Sequence, residues 1–565
     1  MLSALRLLET FVNVRITMTT LGTKARLRPY RDEIALVALV VSVAILAHFP
    51  ALFGRYVLDD HALLVDNPHL RSIRGLSTVL TSELFAASGE VRNVPYYRPL
   101  SGALYWISYQ LLGVDPLLQH ALNVLLHGAV AGLLCWVLLR ATKGRRPVAT
   151  ALIVCIVFAA HPATPEIVAY VGGRQDMLGW LLLLLAWWLC LRQRLGPVLL
   201  ATVGAMTCVL ASLTREFFFA TPLLLAPVVL LRHERRTVAV LSIASGGAVG
   251  LVAVLALRHG LRIQSFRLES FDAGEIMQAA AGILLRLLHL VVLPSDVSVD
   301  VTPYSPSVTA SVLICTALSL ATGTTLMKAW HAPPVAALIA FGWTCLWATV
   351  VLHIPVLLKY ETLSDRYGYG VLLGAACGLV AVAQRLSSPS GVRHGVAVAV
   401  ACGLVLAMIP LTWARDLEWR DESSLQQAMF QRRPYDPESR LAEGMRLFVR
   451  EDWSGAYPHC KAYAEAKPES DRAGLCLGTI LLQQGKPRSA AAHLEPYTFA
   501  RPGSVRARVT LLEALFAAND LDAVERVLRY FGPHVESLPD MKAATQERQR
   551  RKLRATQSDR GRSNN

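Results

Sequence analysis

Two adjacent carboxylates, Asp59 and Asp60, stand within the stretch Tyr56-Val57-Leu58-Asp59-Asp60-His61. A carboxylate can accept a proton from a hydroxyl nucleophile when burial or a neighbouring like charge raises its affinity for protons. The plainer alternative is a solvated loop acid or a helix N-cap. Position alone weighs the two evenly. Further along stand Arg98 in Tyr96-Tyr97-Arg98-Pro99-Leu100, His161 and Glu166 in His161-Pro162-Ala163-Thr164-Pro165-Glu166, and Gly172-Gly173-Arg174-Gln175-Asp176. A guanidinium such as Arg174 can clamp a phosphate through two parallel N–H bonds; otherwise it pairs with Asp176 or Glu166. Gly172-Gly173 allows close backbone approach or a positive φ. A third cluster holds Lys359, Glu361, Asp365, Arg366, Tyr367 and Tyr369. There Arg366 is a second phosphate candidate. The two tyrosines suit either lipid or sugar stacking or an interfacial belt. Arg215-Glu216 reads as an internal salt bridge or as cavity groups, and Asp300 and Tyr304 have the same standing.

Long apolar runs position these groups. The chain has 565 residues, 53% of them hydrophobic and only 17% charged, which is too apolar for a soluble globular protein of this size. The runs are Ile34–Phe53, Leu117–Leu139, Val148–Ala160, Met177–Leu191, Val198–Leu213, Phe217–Leu231, Val238–Leu257, Val308–Met327, Val335–Leu352, Tyr367–Ala383 and Val396–Leu411. In lipid they must be helices, which predicts an all-α membrane protein of about 11 spans. The first is expected to stay in place as a signal anchor. Basic residues gather at alternate ends: Lys24 to Arg31, Arg140 to Arg146, Arg192 and Arg194, Arg232 to Arg236, Lys328, and Arg385 with Arg393. All fall on the cytoplasmic side if the N-terminus lies there and if Ile276–Leu293, with Arg286 and His289 inside it, does not cross but is re-entrant or lies flat on the far side. Every candidate site residue then shares the far side with the C-terminal region.

The net charge of +15 is explained by these loops, and no aromatic–basic motif points to nucleic acid. After Trp413 the composition changes. Pro434, Pro468 and Pro502 recur at 34 residues, as do Gly444 with Gly478 and Ala456 with Ala490. That period predicts about three helical hairpins of tetratricopeptide type. The expected organisation is a basic segment 1–32, a membrane domain 33–413 with a long first loop 54–116, a linker helix 414–434, repeats 435–536 and a basic tail 537–565. The run from Arg415 to Glu422 reads as structural. Of ten cysteines, all but Cys460 and Cys476 lie in or beside apolar runs. These two are expected on neighbouring helices, where a disulfide is one reading and two buried thiols the commoner one.

Taken in order, Val57-Leu58-Asp59-Asp60 with Asn67-Pro68, Tyr97-Arg98-Pro99-Leu100, His161 to Val168 with Gly173 to Asp176, Ser364 to Tyr369, and Thr412 to Arg415 with Trp419 to Ser423 and Leu425 resemble the transmembrane and tetratricopeptide-repeat O-mannosyltransferases and their bacterial relatives. The resemblance implies a GT-C glycosyltransferase fold, a polyprenyl-phosphate sugar as donor, Asp59 or Asp60 as base, and repeats that present an acceptor polypeptide. It also implies an active site facing the periplasm of a bacterial inner membrane, or the lumen in a eukaryote. The chain departs from the family at Gln175, where alanine is usual, and at Gly370-Val371, where a Pro-Ser step is usual. The implied reaction is an inverting transfer of mannose or another hexose to a Ser/Thr hydroxyl. The donor phosphate would lie near Arg174, Arg366 and Arg98, and Asp59, Asp60, Arg174 and Arg366 are expected to line one cavity open to lipid. No resident cofactor is implied; a divalent metal is compatible with the acids without being required. Two other classes stay open: a lipid-linked sugar transporter, and a membrane-anchored repeat scaffold with an inactive membrane domain.

Overall fold

The computed structural model describes residues 28–85, 96–143, 146–191, 195–231, 236–263, 271–294, 299, 303–331, 334–360, 362–386, 391–468, 470, 472–500, 504–535, 545–547 and 549–551. The chain is an all-α membrane protein. Among the described residues, eight helices are long and apolar enough to cross a membrane. In chain order the helices that matter are α1 Arg28–Ala47, α2 Pro99–Leu112, α3 Pro116–Ala141, α4 Pro147–Val154, α5 Arg174–Leu191, α6 Pro197–Ser212, α7 Thr221–Val229, α8 Arg236–Gly260, α9 Ala273–Val292, α10 Val308–His331, α11 Pro334–Tyr360, α12 Tyr369–Leu386 and α13 Gly391–Glu418. Prolines open α2, α3, α4 and α6, where the missing N–H has no intrahelical partner to lose.

One rim of the bundle is basic. There Arg140 at the end of α3 pairs with Glu33 near the start of α1 at 2.7 Å, and Arg236 at the start of α8 donates to the Trp330 carbonyl near the end of α10. The main apolar cluster of the interior is drawn mainly from α1, α3, α4, α5, α7, α11 and α12. Backbones approach closely where glycine allows it: a Cβ on Gly246 of α8 would sit 1.9 Å from the Ala201 carbonyl of α6.

α9 is the run expected to be re-entrant or to lie flat; it is one of the eight helices long and apolar enough to cross. Its start is set by a capping box of Asp272 and Glu275. Gln278 then donates to the Pro306 carbonyl just before α10 at 2.9 Å. At its other end the Val291 carbonyl meets His161 at 3.4 Å, and the Pro294 carbonyl just beyond accepts from Arg415 near the end of α13 at 3.2 Å. α9 is thus tied at one end to the segment before α10 and at the other to His161 and Arg415.

Beyond α13 come α14 Glu422–Arg432 and three antiparallel pairs: α15 Pro437–Val449 with α16 Trp453–Ala466, α17 Gly474–Gln483 with α18 Pro487–Ala500, and α19 Val505–Ala517 with α20 Leu521–Val535. They share one apolar core. Small residues at the repeat positions are packing contacts: a Cβ on Gly444 would lie 2.7 Å from Cys460 Sγ, and one on Gly478 would lie 2.3 Å from Leu494 Cγ. Cys460 and Cys476 are bonded to each other, so the commoner reading of two free thiols is corrected. Stacking of consecutive pairs brings α16 and α17 side by side.

Candidate functional site

The two aspartates differ in environment. Asp60 is completely buried. It stands at the N-terminus of a short π-helical turn, His61–Val65, and its carboxylate accepts the N–H groups of Gly172 at 2.8 Å, Val57 at 3.3 Å and Val171 at 3.4 Å. Burial pushes its carboxyl up to about 7, while those three donors and Arg174 pull the other way. Asp59 is half-buried and acts on Tyr170: burial first, then the Asp59 charge, raises that phenol well above its ordinary value. Gly172 and Gly173 serve close approach and not a positive φ. A Cβ on Gly172 would fall 2.2 Å from the Tyr170 ring, and one on Gly173 would fall 2.2 Å from the Ile167 carbonyl.

Arg174 occupies a sealed position with no solvent exposure. Its Nε donates to Asn123 Oδ1 at 3.0 Å, Nη1 to Ser108 Oγ and Gln119 Oε1 at 2.9 Å, and Nη2 to the Gln119 carbonyl at 3.1 Å. Neither sequence-level partner, Asp176 or Glu166, is among these. The expected cavity lined jointly by Asp59, Asp60, Arg174 and Arg366 is thus corrected: Asp60 and Arg174 are enclosed. A guanidinium held by neutral oxygens fixes α2, α3 and α5 together, since removing it would leave buried acceptors unpaired.

Around this centre the charges sort into pairs. Arg215 pairs with Asp176. Arg98 Nε donates to Glu216 Oε2 at 2.7 Å and Arg98 Nη1 to Gln175 Oε1 at 2.9 Å. Arg215 and Glu216 therefore turn to different partners, which corrects the internal salt bridge. Asp365 is fully buried and forms a two-point ion pair with Arg286 of α9, with Nε to Oδ1 at 2.8 Å. Glu166 accepts from Ser364 Oγ and from the Arg366 amide at 3.0 Å. His161 takes the Ala163 N–H on Nδ1 at 3.3 Å and faces the Val291 carbonyl through Nε2. It therefore pins α9 and does not reach the acids.

Arg366 is different. Its guanidinium is half-buried and rests over the rings of Tyr170 at 5.5 Å and Tyr367 at 5.6 Å. Arg215 lies over the other part of this aromatic wall, 4.8 Å from the Tyr367 ring. Tyr170, Arg366 and Tyr367 thus form a partly open cation–aromatic wall, with Asp59 near enough for its charge to act on the Tyr170 phenol. Such a surface suits an anionic group beside a hydroxyl that must lose its proton. Tyr369 instead turns inward to His127 Nδ1 at 2.8 Å. Tyr304 is exposed, and Asp300 and Glu361 lie outside the described residues. Among the described residues, no three His, Cys, Asp or Glu side chains converge as a metal site.

The chain is 32% identical over 151 residues to human protein O-mannosyl-transferase TMTC1, covering 26% of this chain and 17% of that protein. It is 34% identical over 161 residues to human protein O-mannosyl-transferase TMTC4, covering 26% and 22%, and 30% identical over 143 residues to mouse protein O-mannosyl-transferase TMTC3, covering 25% and 15%. Over this stretch the chain is similar to the TMTC protein O-mannosyl-transferases. The similarity spans about a fifth of the length of these curated relatives. No family model matches the chain, and no solved structure matches it.

The chain also uses residues that its motifs did not single out. Asn123 Nδ2 donates to the Tyr170 carbonyl at 2.7 Å, holding the wall on which Arg366 rests. His48 and Asp416 meet beneath it. Asn123 and His48 stand in or at the end of apolar runs, where a polar side chain needs an internal partner; that is the signal available in the sequence, and it names no partner.

Proposed function

We propose that the chain is an integral-membrane glycosyltransferase that moves a hexose, mannose in the first instance, from a polyprenyl phosphate to a Ser/Thr hydroxyl of a polypeptide. The observation that carries this reading is a half-buried cation, Arg366, resting over the Tyr170 ring, whose phenol also feels the charge of the half-buried Asp59. The names of the relatives supply the sugar and the reaction class. Arg366, with Arg215 nearby, receives the donor phosphate. The acceptor oxygen attacks the anomeric carbon while the bond from that carbon to the phosphate oxygen breaks with its electron pair. The hydroxyl proton passes to Asp59, and the configuration inverts. Charge building on the leaving phosphate is met by Arg366. Asp60 does not touch the acceptor in this scheme; it ties the loop to Val171 and Gly172. Arg98 and Arg174 hold the surrounding helices.

The basic rim faces the cytoplasm, and the site and the helical pairs face the periplasm, or the lumen in a eukaryotic cell. Support comes from the Cys460–Cys476 bond, which persists in an oxidising compartment. The three helical pairs are read as tetratricopeptide-type repeats that present the acceptor chain.

The test is transfer by the purified protein in nanodiscs, with polyprenyl-phosphate mannose and a Ser/Thr-rich peptide, read by mass spectrometry of the peptide. The wild-type protein is expected to add one hexose. Absence of transfer from any polyprenyl-phosphate hexose tried would overturn the reading.

A further inference from the structure

The acid pair is held by a part of the chain more than three hundred residues away. Leu58, directly before Asp59, has φ +52°. A bulky side chain rarely adopts this left-handed conformation, and it persists only where the surroundings hold it. The Leu58 N–H donates to Glu422 Oε2 at 2.9 Å. Three residues earlier the Arg55 N–H donates to the Arg420 carbonyl at 2.7 Å. Glu422 is itself fixed. It opens α14, whose N-cap Asp421 accepts the Ser424 N–H at 2.8 Å, and its Oε1 accepts from Gln426 Nε2 at 3.0 Å. An acid in a first helical turn is also favoured by the helix dipole.

The same segment packs on the site from below. Trp419, Leu425 and Met429 share one apolar cluster with Val57, Val168 and Tyr170, and the Trp419 ring lies 6.0 Å from that of Tyr170. On its outer side, Arg450 at the end of α15 donates to Ser423 Oγ at 3.2 Å. A continuous path of contacts therefore runs from the first helical pair through α14 to the backbone that carries Asp59.

We propose that Glu422 is a positioning residue: by holding the Leu58 amide it maintains the strained turn that aims the Asp59 carboxylate, and so makes the C-terminal region part of the site. The role in catalysis rests on the transfer reaction proposed above; the link between Glu422 and Leu58 does not. Because Leu58 pays a backbone penalty that glycine does not, the link has a specific signature. Without the carboxylate the turn should relax, and a glycine at position 58 should restore it.

The experiment combines amide hydrogen exchange with steady-state transfer on full-length protein in nanodiscs. In Glu422→Ala, exchange in the peptide containing Leu58 is expected to rise about tenfold, with α3 and α5 unchanged. The kcat should fall about tenfold with the KM for polyprenyl-phosphate mannose unchanged. Leu58→Gly placed on Glu422→Ala should recover most of that kcat. Glu422→Gln keeps an acceptor oxygen and should fall between; it serves as the second variant if the alanine form fails to fold. Unchanged local exchange in the variants overturns the proposal. So does exchange raised throughout the bundle, or a kcat loss that Leu58→Gly does not recover. A wild-type protein that transfers no hexose sinks the reaction and with it the catalytic role of Glu422, while the exchange measurement still decides the link.

Discussion

His48 Nδ1 lies 3.1 Å from Asp416 Oδ1, joining the end of α1 to the end of α13, with neither side chain exposed to solvent. Thr164 Oγ donates to the His161 carbonyl at 2.7 Å, so at 3.0 Å it accepts the His48 Nε2–H. His48 Nδ1 and the carboxyl then share one proton, and the pair is neutral as a whole. The ends of α1 and α13 are thus clasped to each other and to Thr164 of the His161–Glu166 segment.

Breaking that pair should be far worse than removing it. His48→Ala or Asp416→Ala alone should each destabilise the protein by about 3 kcal/mol, because a buried polar group is left without its partner. The double variant should cost clearly less than the sum. Thermal unfolding in detergent reads the cycle; strict additivity would show that the two groups act independently.

The two aspartates should separate by readout. Asp59→Asn is expected to reduce transfer at least about a hundredfold, the usual scale for a general base, with an unchanged thermal midpoint. Asp60→Asn turns an NH2 group toward N–H donors and should lower stability by about 2 kcal/mol. Loss of transfer at full stability in Asp60→Asn, with an active Asp59→Asn, would reverse the assignment.

Asp60 also sets a pH dependence. Its carboxyl titrates at about 7 in the folded protein against 3.8 ordinarily. Between those values the folded state binds more proton than the unfolded state, so this group's contribution to stability is full below 3.8 and is lost as pH rises through 7. The melting temperature should therefore fall between pH 5 and pH 8, as differential scanning fluorimetry would record. Asp60→Asn should flatten this slope; an undiminished slope in that variant would assign it elsewhere.

Arg174 and Arg366 should behave as a structural and a substrate-binding cation. Arg174→Ala leaves several buried acceptors of α2 and α3 unpaired and should lower stability by about 3 kcal/mol. Arg366→Ala should leave the melting temperature nearly unchanged and raise the KM for the phosphate donor about tenfold or more. Equal effects of the two substitutions on KM would contradict the distinction.

The Cys460–Cys476 bond should stabilise the helical pairs. It closes a short loop, for which the chain-entropy estimate is about 3 kcal/mol. Replacing both cysteines by serine should lower the unfolding midpoint of the C-terminal region. In intact cells, a membrane-impermeant maleimide should label neither sulfur until a reductant is added.

The sequence alone determined the class of this protein, because apolar period and charge at run ends are local properties that lipid constrains strongly. The run beginning at Ile276 also forms one continuous apolar helix, α9, whose Arg286 finds a buried partner in Asp365. The interval of 34 residues from Pro434 anticipated three helical pairs for the same reason: a repeated local pattern repeats a local structure. The motif order also marked Asp59, Asp60, Glu166, Arg174 and Arg366 as the residues to follow. Their partners were not legible. Arg174 turned to Asn123 and Gln119, Arg215 to Asp176, and Asp365 to Arg286, since partner choice depends on which helix faces which across the bundle. That is set by the packing of the whole core and not by neighbours in the chain. The difference between two adjacent acids was likewise a tertiary decision. Val171 and Gly172 approach Asp60 and enclose it, while Glu422, at the start of α14 beyond the membrane helices, bonds the Leu58 amide next to the half-exposed Asp59.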